Sequence, residues 1–556
     1  MKKYIYISAL MLSFSLTSCN DMLNSKEDIY LTDKMLDTQY KQLFNFGYKA
    51  YSNINNGFSA IDGNLFSTVS DEAQYVTTSN DAQRFNEGSW NKFYNPNDFY
   101  KKGYQGIHDA NFFLEYSNDY ANRLAVNRDT ITTENKRLYK EDILDIQRLR
   151  AEVRVLRCYY YFELMKRYGG VPLITKSATT VEEANLPRVS VEKLVSFIES
   201  EINASLLDLV TTWASAAMPT KDGRVNRGVA LAIKARTLLY AASPLNNPTN
   251  EKGKWESAAK AYNDIIILGT YDLAANYQNL FIGNITSAVG KEVIWAVRMG
   301  PNNDFERKNY PIATPGGNTG ICPSQNLVAA YERKTDNVNP YLGLDPRFAM
   351  SIVSNNDTWT GRIMEMWEGG TDDPSNRNSS RTGYYLKKFL NDNLNLVNDA
   401  KMNRNWTIFR YADVLLSYAE AMNESFGPDN NNGNSLTARE ALNKVRNRTG
   451  VEMPAIIAQI APDYQSLKDK IKHERRIELA FEDYRYWDLC RWKDSETVLN
   501  QPLMGMKTNK NVDGSFTYIE FQVAGRKFIA PKMYLFPIPQ SEIVKTNGVV
   551  TQNPEW

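Results

Sequence analysis

Lys472-His473-Glu474-Arg475-Arg476-Ile477-Glu478-Leu479-Ala480-Phe481-Glu482-Asp483-Tyr484-Arg485-Tyr486-Trp487-Asp488-Leu489-Cys490-Arg491-Trp492 reads, at helical period, as two stripes. Ile477, Ala480, Phe481 and Tyr484 line an apolar one that must be buried. Arg475, Glu478, Glu482 and Arg485 follow a second at i+3 and i+4 spacing, where opposite charges meet. Tyr484, Tyr486, Trp487 and Trp492 crowd the same segment, which excludes a solvated helix. The stretch predicts a helix end buried in a polar-aromatic network whose charges all need partners. Packing, rather than catalysis, is the role this gives its carboxylates.

Working outward, the helical period recurs along the chain. Residues 32–54 carry Leu36, Tyr40, Leu43, Phe44 and Tyr48 behind a Thr32 cap. Residues 99–116 form a second helix. Residues 144–168 form a third, halted by Gly169-Gly170 with Pro172 beyond. Residues 190–209 follow, capped by Ser190. Residues 226–242 with 255–268, and 411–423 with 437–448, make two further pairs. Trp255, Ala259 and Tyr262 keep the spacing of a tetratricopeptide unit, and Ala235, Ala241, Ala419 and Ala421 let helices approach closely. The expected fold is mainly α: tetratricopeptide-like helix pairs, none burying its face alone.

The texture between the pairs differs. Residues 55–97 are rich in Asn, Ser, Asp and Gly, a loop length that usually serves function. Residues 292–297 read as a buried strand, and Trp359 and Trp367 flank Met364 and Met366 in a ribbon. Residues 372–381 are almost wholly polar, and 516–521 and 532–537 read as short strands and loop. The scaffold is expected at about 32–54, 99–270 and 406–493. Loop and short-strand insertions, forming a binding face, are expected at about 55–98, 271–405 and 494–556.

Lys+Arg of 65 against Asp+Glu of 64 implies no electrostatic funnel for nucleic acid. Two His and four Cys leave little for zinc or haem, and no metal or cofactor is expected. A loop-supporting calcium ion is not indicated by any residue pattern. Cys158, Cys322 and Cys490 are odd in number and far apart, which argues against a disulfide framework. At the N-terminus, Lys2 and Lys3 precede an apolar run, residues 4–16, too short to span a bilayer. Leu16-Thr17-Ser18-Cys19 resembles a bacterial lipobox, which implies that residues 1–18 are a cleaved signal peptide. Cys19 would then carry the lipid, and 19–556 would be the mature domain.

A family resemblance joins these features. The opening stretch, with Glu474-Arg475-Arg476, Glu478-Leu479-Ala480-Phe481-Glu482, Arg485, Asp488-Leu489 and Arg491-Trp492, resembles the C-terminal signature of the SusD/RagB family. Residues 150–173 are similar to that family's other strong signature, and the close from Leu535 to Trp556 to its tail. The resemblance implies a non-catalytic glycan-binding lipoprotein on the outer membrane. It also implies a lid over a SusC-like TonB-dependent transporter, handing oligosaccharide to it.

No G-x-S-x-G, P-loop, H-E-x-x-H or G-x-G-x-x-G motif is present. His108 and His473 read as structural. A glycosidase needs two carboxylates, and Glu474 with Glu478, or Asp71 with Glu72, are the pairs available. Their neighbouring arginines would lower a carboxyl pKa, which is wrong for a general acid. The expected ligand site rests on position alone: Trp90 and Tyr94, with Asp71, Arg84 and Asn91 as polar partners, and Tyr310, Trp359 and Trp367 from the mid-chain. Two alternatives stand beside this reading, a secreted glycoside hydrolase and a helical-repeat lipoprotein that binds protein or peptide.

Overall fold

The computed structural model describes residues 40–556, apart from 179, 217–218, 287–289, 336 and 338. The expected signal segment, the expected lipid site Cys19 and the first part of the 32–54 pattern lie outside the described residues. Of the rest of that pattern only Lys41–Lys49 is helical, and residues 50–53 leave it in turns, short of the expected end.

Capping residues set the helix starts. The Ser190 hydroxyl accepts the N–H of Lys193 ahead of Val191–Ser205, and the Asn226 amide oxygen accepts that of Val229 ahead of Arg227–Ala242. Thr437 and Glu440 form a reciprocal capping box at Ala438–Arg446. Each cap satisfies N–H groups that a first helical turn leaves unpaired. The long helix starts at Thr133, not at 144, because Thr132 caps it; its first turns are polar and carry no apolar stripe to read. It stops at Gly169, as expected, where φ is +71°.

The helices pack largely in chain order. Lys41–Lys49 lies on Tyr100–Tyr116, which lies on Thr133–Tyr168, which lies on Val191–Ser205. Arg227–Ala242 pairs with Lys252–Ile267, which meets Tyr411–Phe426; the last helix also carries Ala438–Arg446 and Tyr464–Glu478. The result is a mainly helical, tetratricopeptide-like superhelix. Some contacts need glycine: a Cβ on Gly106 would lie 2.4 Å from the Tyr160 ring.

The decisive stretch breaks where a continuous helix was expected. Tyr464–Glu478 ends, Phe481 and Asp483 turn left-handed (φ +65° and +62°), and Arg485–Trp492 begins. The stripe survives, since Ile477, Ala480 and Phe481 are buried. Side chains replace the missing helical bonds. The Glu478 carbonyl accepts from Tyr277 Oη at 2.8 Å and Arg410 Nη2 at 2.8 Å, and the Ala480 carbonyl from Lys388 Nζ at 2.8 Å. Terminal carbonyls satisfied in this way no longer need the next turn.

Around that break lies a buried ionic network. Glu478 accepts from Arg347, Arg410 and Arg448 at 2.6–2.7 Å. Arg410 also holds Glu482 and Glu292, Arg347 holds Asp345 and Glu474, Arg446 holds Glu474, Arg448 holds Glu292, and Lys388 holds Glu482.

The predicted 292–297 strand runs over Val293–Asn302 and pairs antiparallel with Met402–Arg410. Leu503–Lys510 and Phe516–Ala524 form a hairpin. Residues 532–537, expected as strand and loop, hold one helical turn, Lys532–Tyr534, and then extended chain whose Phe536 N–H is taken by the Arg167 carbonyl. The insertions have their own core, built from residues such as Phe58, Tyr310, Trp359, Tyr384 and Phe389. Cys158, Cys322 and Cys490 are buried and free; burial pushes the Cys322 thiol up to about 11 and Cys490 to about 12.

Candidate functional site

The residues expected to bind ligand divide into two groups. Arg84, Asn91 and Tyr94 come together on the surface. Tyr94 is 46% exposed, its hydroxyl donates to Asp81 Oδ1 at 2.7 Å, and the Arg84 guanidinium lies 5.6 Å from its ring centroid. Asn91 bonds to Tyr94 through both backbones.

The others point inward, which corrects the expectation for them. Trp90 stacks on Phe85 (4.7 Å between centroids, 6° between planes) and is covered by Phe536 and Trp556. Trp359 is fully buried against Tyr310, whose hydroxyl donates to the Asn391 carbonyl. Trp367 packs on Phe516 under the Lys510 ammonium. Asp71 is buried in ion pairs with Arg476 and Arg485. A ring covered on both faces has none to offer a sugar.

A surface cleft of about 750 Å³ is lined by none of the residues expected to bind ligand. One wall is Val76–Ser79, leaving the short strand Ala73–Tyr75, which pairs with Ile321–Pro323. Asn80 Nδ2 bonds Thr77 Oγ1, and Asp81, the partner of Tyr94, follows directly. The second wall is the polar run ending at Gly383, and the third is the hairpin with Phe521. Gly383 has φ +80°, and a Cβ there would lie 2.0 Å from the Met506 carbonyl, so only glycine seats this wall on the hairpin. Across the hairpin from Phe521 stands Gly505, so no cross-strand side chain covers the ring, which is 38% exposed. Thr78, Ser79, Asn376, Arg377, Arg381 and Gln522 are exposed around it.

The pattern flagged 372–381 as polar but gave it no role. Its convergence with residues 76–79 and the hairpin is tertiary, and no local period encodes it.

The carboxylates do not form an acid–base pair. The cleft's acids are Glu368 and Asp373, and N–H bonds from Gly369 and Ser375 hold Asp373 below its ordinary pKa. Burial would raise Asp71 and Glu478, but Arg485 and Arg476 on the first, and Arg448, Arg410 and Arg347 on the second, outweigh it and hold both well below. Glu72 departs from the expectation: burial, then the Asp71 charge, push it up to about 8. It is 1% exposed and does not line this cleft, which removes it from the chemistry there. A second pocket, of about 350 Å³, is lined by paired charges, such as Glu163 with Lys166 and Arg167, and Asp413 with Arg236 and Arg475. His473 is depressed by burial, and His108 sits exposed on Tyr100–Tyr116; neither lines the cleft. No group of three or more metal-ligating side chains converges among the described residues.

Glu72 yields a pH test. Its folded pKa lies above its ordinary 4.5, so its proton stabilises the fold fully below that value, and the contribution is lost as pH rises through about 8. Glu72→Gln mimics the protonated form. The variant should match the parent in thermal stability at pH 4 and gain on it by about 1.4 kcal/mol per pH unit up to that pKa. Parallel melting curves from acid to alkaline pH check this; a constant offset contradicts it.

Comparison with known proteins fits this architecture. Residues 291–556 match the SusD family model, and residues 21–239 match a family model described as "Starch-binding associating with outer membrane". The chain belongs to the SusD/RagB family. A SusD-like protein of Formosa agariphila is 26% identical over 385 residues, 65% of this chain and 69% of the other. A SusD-like crystal structure from Bacteroides fragilis superposes with a TM-score of 0.75 at 24% identity, covering 94% of this chain and 99% of that one. A second from that organism, described as a SusD-like carbohydrate-binding protein, gives 0.71 at 24% identity over 93% and 99%. These likenesses show the SusD fold. No helix among the described residues is long and apolar enough to cross a membrane.

Proposed function

We propose that this SusD/RagB-family chain is a cell-surface glycan-binding lipoprotein without catalytic activity. It captures oligosaccharide at the cleft of residues 76–79, 373–383 and the hairpin, anchored through Cys19. The observation that carries the reading is Phe521: an uncovered aromatic face in a concave, hydroxyl- and amide-lined surface of a family whose relatives include one described as carbohydrate-binding. An apolar ring face matches the C–H face of a pyranose, and the surrounding polar groups select its hydroxyls. The acids of the cleft, one held low by backbone N–H groups, favour binding over hydrolysis. In this reading the lipid-anchored body closes as a hinged lid over a SusC-like transporter, with ligand contacting both.

The test is calorimetric titration of residues 20–556 with a panel of polysaccharides and their oligosaccharides. One glycan should bind saturably, and Phe521→Ala should weaken it about tenfold or more, as removal of a stacking platform does. Release of reducing ends during the titration overturns the non-catalytic reading. Binding untouched by Phe521→Ala moves the site elsewhere.

A further inference from the structure

The polar wall of the cleft holds two arginines unlike the others of the described residues. Every other arginine there but Arg148 has a hydrogen bond, ion pair or ring contact for its guanidinium, Arg123 over the Tyr116 ring among them, and Arg148 is not free either. Arg84 pairs with Asp81, Arg298 with Asp222 and Arg307 with Asp399, although all three are substantially exposed. Exposure alone therefore does not leave an arginine unpaired in this protein. Arg377 and Arg381 have no hydrogen bond, ion pair or ring contact for the guanidinium, although the Arg381 charge reaches the buried Cys322 thiol, and both line the same cleft. Lys507, exposed on the facing hairpin strand, also has no ion pair and lines it too.

The cleft's own acids do not answer these cations. Asp373 turns its carboxylate onto the backbone, accepting from Gly369 N–H at 2.6 Å and Ser375 N–H at 2.8 Å. Glu368, exposed on the rim, is the remaining one. Three cations against two acids, one of them tied to its own loop, leave the mouth with unspent positive charge. Guanidinium groups recognise planar or tetrahedral oxyanions through paired N–H donors, which neutral sugar hydroxyls do not match.

Resting on the glycan-binding reading above, we infer that the cleft selects an anionic polysaccharide, with Arg377 and Arg381 contacting its carboxylate or sulfate groups and Phe521 the adjoining sugar ring. Lys507 adds attraction from the opposite wall. Glu368 opposes it and restricts how the chain of charges lies.

The experiment measures binding of residues 20–556 to acidic polymers beside matched neutral forms: polygalacturonate against its methyl-esterified form, and dextran sulfate against dextran. An acidic polymer should bind and its neutral partner should not, with affinity falling steeply as salt is raised. Which pair responds tells carboxylate from sulfate. Arg377→Gln with Arg381→Gln should weaken that binding about tenfold or more. Glu368→Gln should tighten it, an effect that misfolding cannot mimic. Equal binding of the charged and neutral forms, lost in Phe521→Ala, overturns the anionic inference and keeps the glycan site. Acid-polymer binding insensitive to both arginines also overturns the inference. Failure of every polymer in this panel and the wider one overturns both.

Discussion

Arg410→Met should destabilise the protein by about 3–5 kcal/mol. The network around Arg410 is balanced: Asp345, Glu292, Glu474, Glu478 and Glu482 against Arg347, Arg410, Arg446, Arg448 and Lys388. Arg410 bonds three of those acids and also the Glu478 main-chain carbonyl. Removing it leaves one negative charge uncompensated inside the protein, together with a carbonyl that has lost a donor where the helix breaks. Neither the acids, buried to within a few per cent, nor that carbonyl can turn to water. The loss is read as the shift in denaturant midpoint. Adding Glu482→Gln should recover part of it, since that acid keeps only Lys388 once Arg410 is gone. No recovery would show that the arginine acts through packing and not charge.

Trp90→Ala should cost about 3–5 kcal/mol by opening a cavity. The ring is the meeting point of Phe85, Phe536 and Trp556, so its removal strips contacts from the short helix Asp81–Asn86, from the tail and from Trp556 itself. Glycan affinity, measured well below the variant's melting temperature, should stay within about twofold of the parent, because Trp90 presents no face to solvent. Loss of affinity in a folded variant would return Trp90 to the binding site.

These cases show what the sequence could and could not disclose. The long-helix stop at Gly169, the Ser190 cap and the buried stripe of Ile477 and Phe481 are local signals, and they were legible. The break after Glu478 was not, because Tyr277, Arg410 and Lys388, which satisfy its carbonyls, come from far along the chain. Aromatic residues misled for a related reason. Trp90, Tyr310 and Trp359 look the same in sequence whether they face sugar or another ring; only tertiary packing decides, Trp90 joining the main core and Tyr310 and Trp359 the second core inside the insertions. Phe521 was readable as a strand residue, but its exposure depends on Gly505 across the hairpin.

The two family models match this chain on either side of residues 240–290, yet that division is no seam in the molecule. Asp71 is clasped by Arg485, 414 residues away, the Phe66 N–H is held by Asp483, 417 residues away, and Asn553 closes on the Tyr168 carbonyl, 385 residues away. Contacts spanning such separations form late, after the cost of closing long loops has been met. Each half, synthesised alone, would expose the surface its distant partner was to cover. The chain is thus committed to folding as one piece, with its last segment clasping a helix made hundreds of residues earlier.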